Sequence, residues 1–310
     1  MPVSAHQVTV RSPAKINLGL SVGPPRPDGF HPLATVYQAV ALYDDVTATL
    51  RDDAEVTVEV IGDFADDVPT DSSNLAVRAA RTLQAEYDVE DGVDLTIRKT
   101  IPVAGGMAGG STDAAATLVA CNRLWGLGLA QSELERIAAD LGSDVPFCLV
   151  GHTALGRGRG EQVTEVLSRG TFHWVFAIAE GGLPTPAVYK ELDRLRPLRR
   201  VEAPEVRPEL LSALLSGQPA ALAIALSNDL QAAALSLRPE LSATLQFGLD
   251  QGALAAMISG SGPTCLFLAA DSRQAVDLAV ELAESGLCRM VRQAEGPVPG
   301  ARVLPAAVSR

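Results

Sequence analysis

"PVAGGMAGGSTDAAATL", residues Pro102–Leu118, is the stretch on which the fold turns. From Gly105 it runs glycine, four residues, glycine, then Ser111 and Thr112. A P-loop would place a lysine before the hydroxyl residue, and here that lysine is missing. Gly105, Gly106, Gly109 and Gly110 remove side chains where a backbone must approach something closely. A helical pattern begins directly after them. The free N–H groups of a helix start hold an anion without any cation. Ser111 and Thr112 add hydroxyl donors, or a ligand for a metal carried on a polyphosphate. The plain alternative is a flexible turn capped by Ser111 or Asp113. Four glycines in six residues is a heavy entropic cost for a turn alone.

Working outward, "VDLTIRKTIPV" (Val93–Val103) reads as a strand running into the loop, and "TDAAATLVACNRLWGL" as the helix leaving it. Before them the chain is mostly β, with strands in Val8–Val22, Val36–Leu50 and Glu55–Gly62, and a helix in Ser72–Tyr87. After them "QSELERIAADLG" predicts a helix with Ser132 and Glu135 as a capping box and Gly142 as its stop. Strands, a helix with Thr185 as N-cap and Pro186 at its first position, and a Pro/Arg-rich loop follow. "PAALAIALSNDLQAAAL" reads as helix, Ala253–Ala270 as strand, glycine turn, strand, and Ser272–Gly286 as helix. The order of elements predicts an α+β protein with two lobes, residues 1–160 and 161–310.

The chain has 310 residues, 47% of them hydrophobic and 20% charged, which supports a well-filled core. A net charge of −12 argues against a nucleic-acid partner. Cys121, Cys148, Cys265 and Cys288 form no C-x-x-C pair, so zinc and redox motifs lack support. The first residues have no apolar signal core, and no apolar run approaches the ~18 residues of a membrane span. A cytoplasmic protein without membrane partners is the expectation. Pairing with a second copy as a homodimer is left open.

The chain uses lysine at only three positions, Lys15, Lys99 and Lys190. Arginine carries the generic surface charge, so each lysine is worth inspection for its compact ammonium. Lys15 sits with Asn17 in the otherwise apolar strand "SPAKINLGL", and period two puts both on one face. That face is either a site or the wet side of an edge strand. Lys99 lies just upstream of the glycine loop. It is predicted to lay its ammonium near a bound nucleotide, partly replacing the missing lysine. Asp144, in "LGSDVPF", stands ahead of a proline, where a turn or N-cap carboxylate is common. "DGFH" offers Phe30 and His31 on a turn, and "TPAVYK" offers Tyr189 on a helix. Asp28 either holds that turn or faces a ligand. "GRGRGE" (Gly156–Glu161) reads as an exposed hairpin turn.

Three segments together, "SPAKINLGL", "PVAGGMAGGSTDAA" and "MISGSGPT", match in order and spacing a known set. The chain thereby resembles the galactokinase, homoserine kinase, mevalonate kinase and phosphomevalonate kinase superfamily. "RPDGFH" and "GSDVPF" look like the branch that phosphorylates 4-diphosphocytidyl-2-C-methyl-D-erythritol in the non-mevalonate isoprenoid pathway. The resemblance implies a two-lobed superfamily kinase fold, with an N-terminal nucleotide-binding lobe and a C-terminal substrate lobe. It implies ATP bound at Pro102, Val103, Ala104, Gly105, Gly106, Met107, Ala108, Gly109, Gly110, Ser111 and Thr112, with magnesium. Lys99, and Asn74 at a helix start, would be further nucleotide residues, and Ser111 the magnesium ligand.

By the same resemblance Lys15 and Asp144 are the catalytic pair. Asp144 would take the acceptor's proton, and Lys15 would keep it ionised and stabilise the alkoxide. Asn17, Phe30, His31 and Tyr189 would bind the cytidine-bearing substrate, with Gly260, Ser261 and Gly262 of the second glycine turn beside it. One ring from each lobe would sandwich the cytosine, and His31 would read its edge. The branch's usual loop is GLGGGSSDAA and its usual residue at position 30 is tyrosine. Met107, Ala108, Thr112 and Phe30 depart from that pattern. The competing readings are another alcohol kinase of the superfamily and a nucleotide-binding module without turnover. A dehydrogenase reading of the glycine loop is poor, because no βαβ fingerprint with a distal acid surrounds it.

Overall fold

The computed structural model describes residues 6–196 and 202–305. Of the Pro/Arg-rich loop expected over residues 196–210, residues 197–201 lie outside them, and its last three residues open a helix at Pro208. In chain order the first part holds β1 (Gln7–Val22), β2 (Leu33–Arg51), β3 (Val56–Gly62), α1 (Leu75–Glu86), β4 (Gly92–Lys99), α2 (Gly109–Leu124), α3 (Gln131–Leu141) and α4 (Val145–Val150). Then come β5 (Thr153–Arg157), β6 (Gln162–Glu165), β7 (Phe172–Ile178), α5 (Thr185–Leu195), α6 (Pro208–Ser216) and α7 (Pro219–Ala225). The rest is β8 (Ser227–Asn228), α8 (Gln231–Leu237), α9 (Leu241–Asp250), β9 (Ala255–Ile258), β10 (Cys265–Ala269), α10 (Ser272–Glu284), β11 (Met290–Gly296) and β12 (Arg302–Val303). The α+β expectation holds.

One sheet runs β12-β1-β2-β4-β3, with β5 hooked onto β2, β6 onto β5, and β8 alongside β1. Alternating residues of β2 and β4, such as Val46, Ala48, Leu95 and Ile97, pack beneath Ala79, Ala80 and Leu83 of α1 and Ala115 and Leu118 of α2. The many alanines on these helices let them lie close to the sheet. The second sheet, β11-β7-β10-β9, is antiparallel. Its strand β7 shows the two-residue period plainly. Val175 and Ala177 face α5, α8, α9 and α10. Phe172, Trp174 and Phe176 face the other way, against Ala14, Ile16 and Leu18 of β1. Neither half of the chain closes on itself. β12 returns to pair with Val10 and Arg11, and β8 runs parallel to Gly19 and Leu20.

Since Ala14, Ile16 and Leu18 are spent on the core between the sheets, Lys15 and Asn17 must point to the opposite face of β1. Register shifts at Pro13/Ala14 and Asn17/Gly19 bracket this segment. Such bulges re-aim side chains next to sites.

Several local expectations are corrected. The cap of α3 is Ala130 with no side-chain bond, so Ser132 and Glu135 form no capping box. Helix α5 begins at Thr185 itself, with Pro184 as cap. The long helix expected over residues 219–235 is two, α7 and α8, because Ser227 and Asn228 leave to pair with β1. Among the described residues no helix is long and apolar enough to cross a membrane.

Candidate active site

A cavity of about 690 Å³ opens between the lobes. Its floor is the glycine loop and the start of α2. That helix begins at Gly109, four residues earlier than a start at Asp113. Thr112 is the first residue whose N–H reaches a carbonyl behind it, donating to Ala108 at 2.9 Å. The amides of Gly109, Gly110 and Ser111 therefore have no partner inside the helix. Pro102, Ala104, Gly105, Gly106 and Ala108 line the cavity with those three residues. The loop backbone is held in left-handed conformation at Ala104 (φ 50°), Gly106 (φ 76°) and Ala108 (φ 61°). At the two alanines this carries strain of the kind that gathers at functional sites. The second glycine turn locks against the first. A Cβ on Gly106 would stand 1.9 Å from the carbonyl oxygen of Ser259. The Ser259 hydroxyl donates to Gly106 O at 3.0 Å.

Over this floor stands Lys15. Its backbone N–H donates to Met107 O, and its ammonium donates to Asn17 Oδ1 at 2.8 Å. Asn17 in turn donates to the Thr35 hydroxyl at 2.8 Å, which fixes its amide. The Lys15 ammonium is 3.6 Å from Asp144 Oδ2, with Lys15 only 7% exposed and Asp144 30%. Asp144 occupies the N-cap position of α4, yet its side chain caps nothing. The turn reading therefore accounts for its backbone and not for its carboxylate. Tyr37 of β2 lies beneath this pair, with the ammonium 5.5 Å from its ring centre. Burial, and then the charge of Asp144, push the Tyr37 phenol well above its ordinary value. Along the chain Tyr37 carries no signal beyond its place in a strand, and only the packing of β2 under the pair reveals it.

The far wall is aromatic. Phe30 and His31 come from the turn between β1 and β2, and Tyr189 from α5. Asp28 holds that turn by accepting from the Phe30 N–H at 3.0 Å. The Arg159 guanidinium, on the β5–β6 turn, sits 5.1 Å above the Phe30 ring and lines the cavity. His31 faces Tyr189 at 5.0 Å between ring centres. Gly260 and Ser261 complete the rim, with Ser261 bonded to Thr185 at 2.9 Å.

Six expected residues do not face the cavity. Thr112 is fully buried, and its hydroxyl donates to Pro13 O at 3.0 Å, tying α2 to β1. Met107 is buried with Ile16 and Ile101 in the core between the sheets. Val103 and Gly262 lie behind their turns, Gly262 donating its N–H to Ser259 O. Asn74 caps α1, accepting from the Ala76 N–H and donating to Pro69 O, so both ends of its amide are used.

The sharpest correction is Lys99. Its ammonium is buried under the loop and bonded to Asp44 at 2.6 Å and Asp113 at 2.7 Å. It would lie 2.9 Å from a Cβ on Gly109, so a larger residue there would have to displace the ammonium. Asp44 also accepts the N–H groups of Thr100 and Ile101. Lys99 thus braces the segment entering the loop rather than reaching into the cavity. Burial first, and Asp44 after it, push the Asp113 carboxyl up to about 8 against the pull of Lys99.

Residues 74–152 match the GHMP kinases N terminal domain, and residues 210–286 match the GHMP kinases C terminal. The 4-diphosphocytidyl-2-C-methyl-D-erythritol kinase of Streptomyces avermitilis is 57% identical over 297 residues, 96% of this chain and 99% of its own. That of Mycolicibacterium gilvum is 54% identical over 310 residues, 98% of this chain and 95% of its own. A solved 4-(cytidine 5'-diphospho)-2C-methyl-D-erythritol kinase superposes with a TM-score of 0.76 at 30% identity, over 93% of this chain and 98% of that one. The homoserine kinase from Cytophaga hutchinsonii has a TM-score of 0.76 at 18% identity over 98% of this chain and 99% of its own, and so shares the fold. The matched family and these relatives make the chain a small-molecule kinase with ATP as co-substrate. The chain belongs to the GHMP kinase family, in the branch whose named members are 4-diphosphocytidyl-2-C-methyl-D-erythritol kinases.

Proposed function

We propose that this protein transfers the γ-phosphoryl group of ATP to the 2-hydroxyl of 4-diphosphocytidyl-2-C-methyl-D-erythritol, a step of non-mevalonate isoprenoid precursor synthesis. The observation that carries the reading is the Lys15–Asp144 pair, 3.6 Å apart. It lies in one cavity with a helix N-terminus and an aromatic wall. The unpartnered amides at the start of α2 hold the triphosphate, aided by the helix dipole. Asp144 accepts the proton of the acceptor hydroxyl. The freed oxygen bonds to the γ-phosphorus, the bond to the β-phosphate oxygen breaks, and ADP leaves. Lys15 stabilises the alkoxide as it forms, and Asn17 holds Lys15 in place. Positioning and charge compensation are most of what phosphoryl transfer asks of a protein.

The N-terminal residues supply the nucleotide side. Tyr189 from the C-terminal half meets Phe30 across the cytosine, and His31, against Tyr189, reads the edge of the base. Arg159 supplies a cation for the acceptor's diphosphate. Among the described residues no three His, Cys, Asp or Glu side chains gather as a metal cage. The lining still fits a magnesium ion that travels on the triphosphate, with the Ser111 hydroxyl as its hard-oxygen ligand. Bound there, the ion would neutralise charge on the β- and γ-phosphates. The partners in this reading are ATP and the cytidine-bearing polyol, not nucleic acid. The need for ATP puts the protein in the cytoplasm.

The test is ADP release with a panel of acceptors: the cytidine-bearing polyol, homoserine, mevalonate and galactose. Turnover is expected with the first alone. Turnover of another member and none of the first would overturn the assignment.

A further inference from the structure

His31 is held by a residue to which the reaction as described gives no work. Its Nε2 is 2.9 Å from Oδ1 of Asp193, a residue 162 positions away on α5. Tyr189 and Asp193 are four apart on that helix and share a face. The same face therefore supplies both the ring against His31 and the carboxylate at its edge. Among the described residues Asp193 makes no other side-chain hydrogen bond or ion pair. With its side chain 39% exposed, it is not a core residue.

A carboxylate only accepts, so Nε2 must carry the hydrogen in this contact. In the neutral ring Nδ1 is then a lone-pair acceptor. Cytosine carries an amino group on its pairing edge where uracil carries a carbonyl. An acceptor nitrogen bonds the first and repels the second. We propose that Asp193 is a positioning residue for base specificity: it fixes His31 with hydrogen on Nε2, so that Nδ1 accepts from the cytosine amino group and rejects uracil. This rests on the reading that the acceptor carries cytidine. A site committed to one hydrogen-bond direction discriminates strongly, because the wrong base leaves polar groups unpaired.

The experiment compares kcat/KM for the cytidine acceptor and its uridine counterpart in the wild type, Asp193→Ala and Asp193→Asn. Nitrogen-15 NMR of the imidazoles accompanies it, with His31 assigned through His31→Gln. The wild type is expected to prefer cytidine and to show hydrogen on Nε2 of His31. Asp193→Ala should cut the preference by roughly tenfold or more, the scale of one hydrogen bond. It should do so through the acceptor KM, with the ATP KM unchanged, and should give a mixture of tautomers. Asp193→Asn, which can donate or accept, should fall between. Normal wild-type turnover with an unchanged preference in Asp193→Ala would overturn the role of Asp193 alone. A wild-type His31 carrying its hydrogen on Nδ1 would do the same. No wild-type turnover of the cytidine compound would remove the acceptor reading, and this inference with it.

Discussion

Lys15 and Lys99 touch the same glycine loop, and both ammonium groups are withdrawn from water. Lys15 meets one carboxylate at 3.6 Å and one amide oxygen at 2.8 Å, at the edge of an open cavity. Lys99 meets two carboxylates at 2.6 and 2.7 Å in a closed space. A cation that must respond to developing charge needs an unfinished coordination facing the reactants. A cation that braces a loop is saturated. The count of partners, more than the depth of burial, separates the two tasks. Burial above all, and after it the charge of Asp44 beside the same ammonium, pushes the Asp113 carboxyl up.

That contrast is open to direct attack. The largest effect is expected from Asp144→Asn. It keeps shape and leaves Lys15 its bond to Asn17, while removing the proton acceptor. ADP production should fall by ~10²–10⁴, with ATP affinity and melting temperature nearly unchanged. A fall in stability to match would place Asp144 with the structural group instead. Lys99→Met should behave in the opposite sense. It strands two buried carboxylates, and breaking a buried pair costs about 3–5 kcal/mol. Urea unfolding should show that loss, and adding Asp113→Asn should recover part of it. Weakened ATP binding in a Lys99→Met protein of unaltered stability would restore the nucleotide-contact role expected for this lysine.

The last test is in pH dependence. The Asp113 carboxyl goes from 3.8 up to about 8 on folding. The folded state therefore holds a proton that the unfolded chain has released. This group's contribution to stability is present below about pH 4 and is lost as pH rises towards about 8. Asp113→Asn should flatten the slope of unfolding free energy across that window. An identical slope in variant and wild type would show that Asp113 does not hold the proton.

Much of the site is legible in the sequence. The glycine pairs announced a close backbone approach, and period two on β1 placed Lys15 beside Asn17. These signals are local, and each depends on neighbours within a few residues. Lys99 was misjudged because adjacency along the chain suggested adjacency to the ligand. Its true partner Asp44 is 55 residues away on β2. Asn74 and Thr112 read along the chain as ligand contacts, but their polar atoms are needed nearer home. A cap satisfies α1 in one case, and a carbonyl of β1 is tied down in the other. Arg159 lay in a segment that reads as a bare hairpin turn. Only the pairing of β5 with β2, and of β6 with β5, brings it over Phe30.

By itself the sequence determined the backbone conformations that glycine alone permits and the faces that two- and 3.6-residue periods impose. Through resemblance to a kinase family it also put forward Lys15 and Asp144, the pair proposed to carry the phosphoryl transfer. Tertiary structure decided which polar groups were left over for a ligand. Burial makes every donor and acceptor find a partner, and those partners come from strands and helices far apart in the chain. Spacing along the sequence states what a side chain can do, whereas packing states whether it is already occupied.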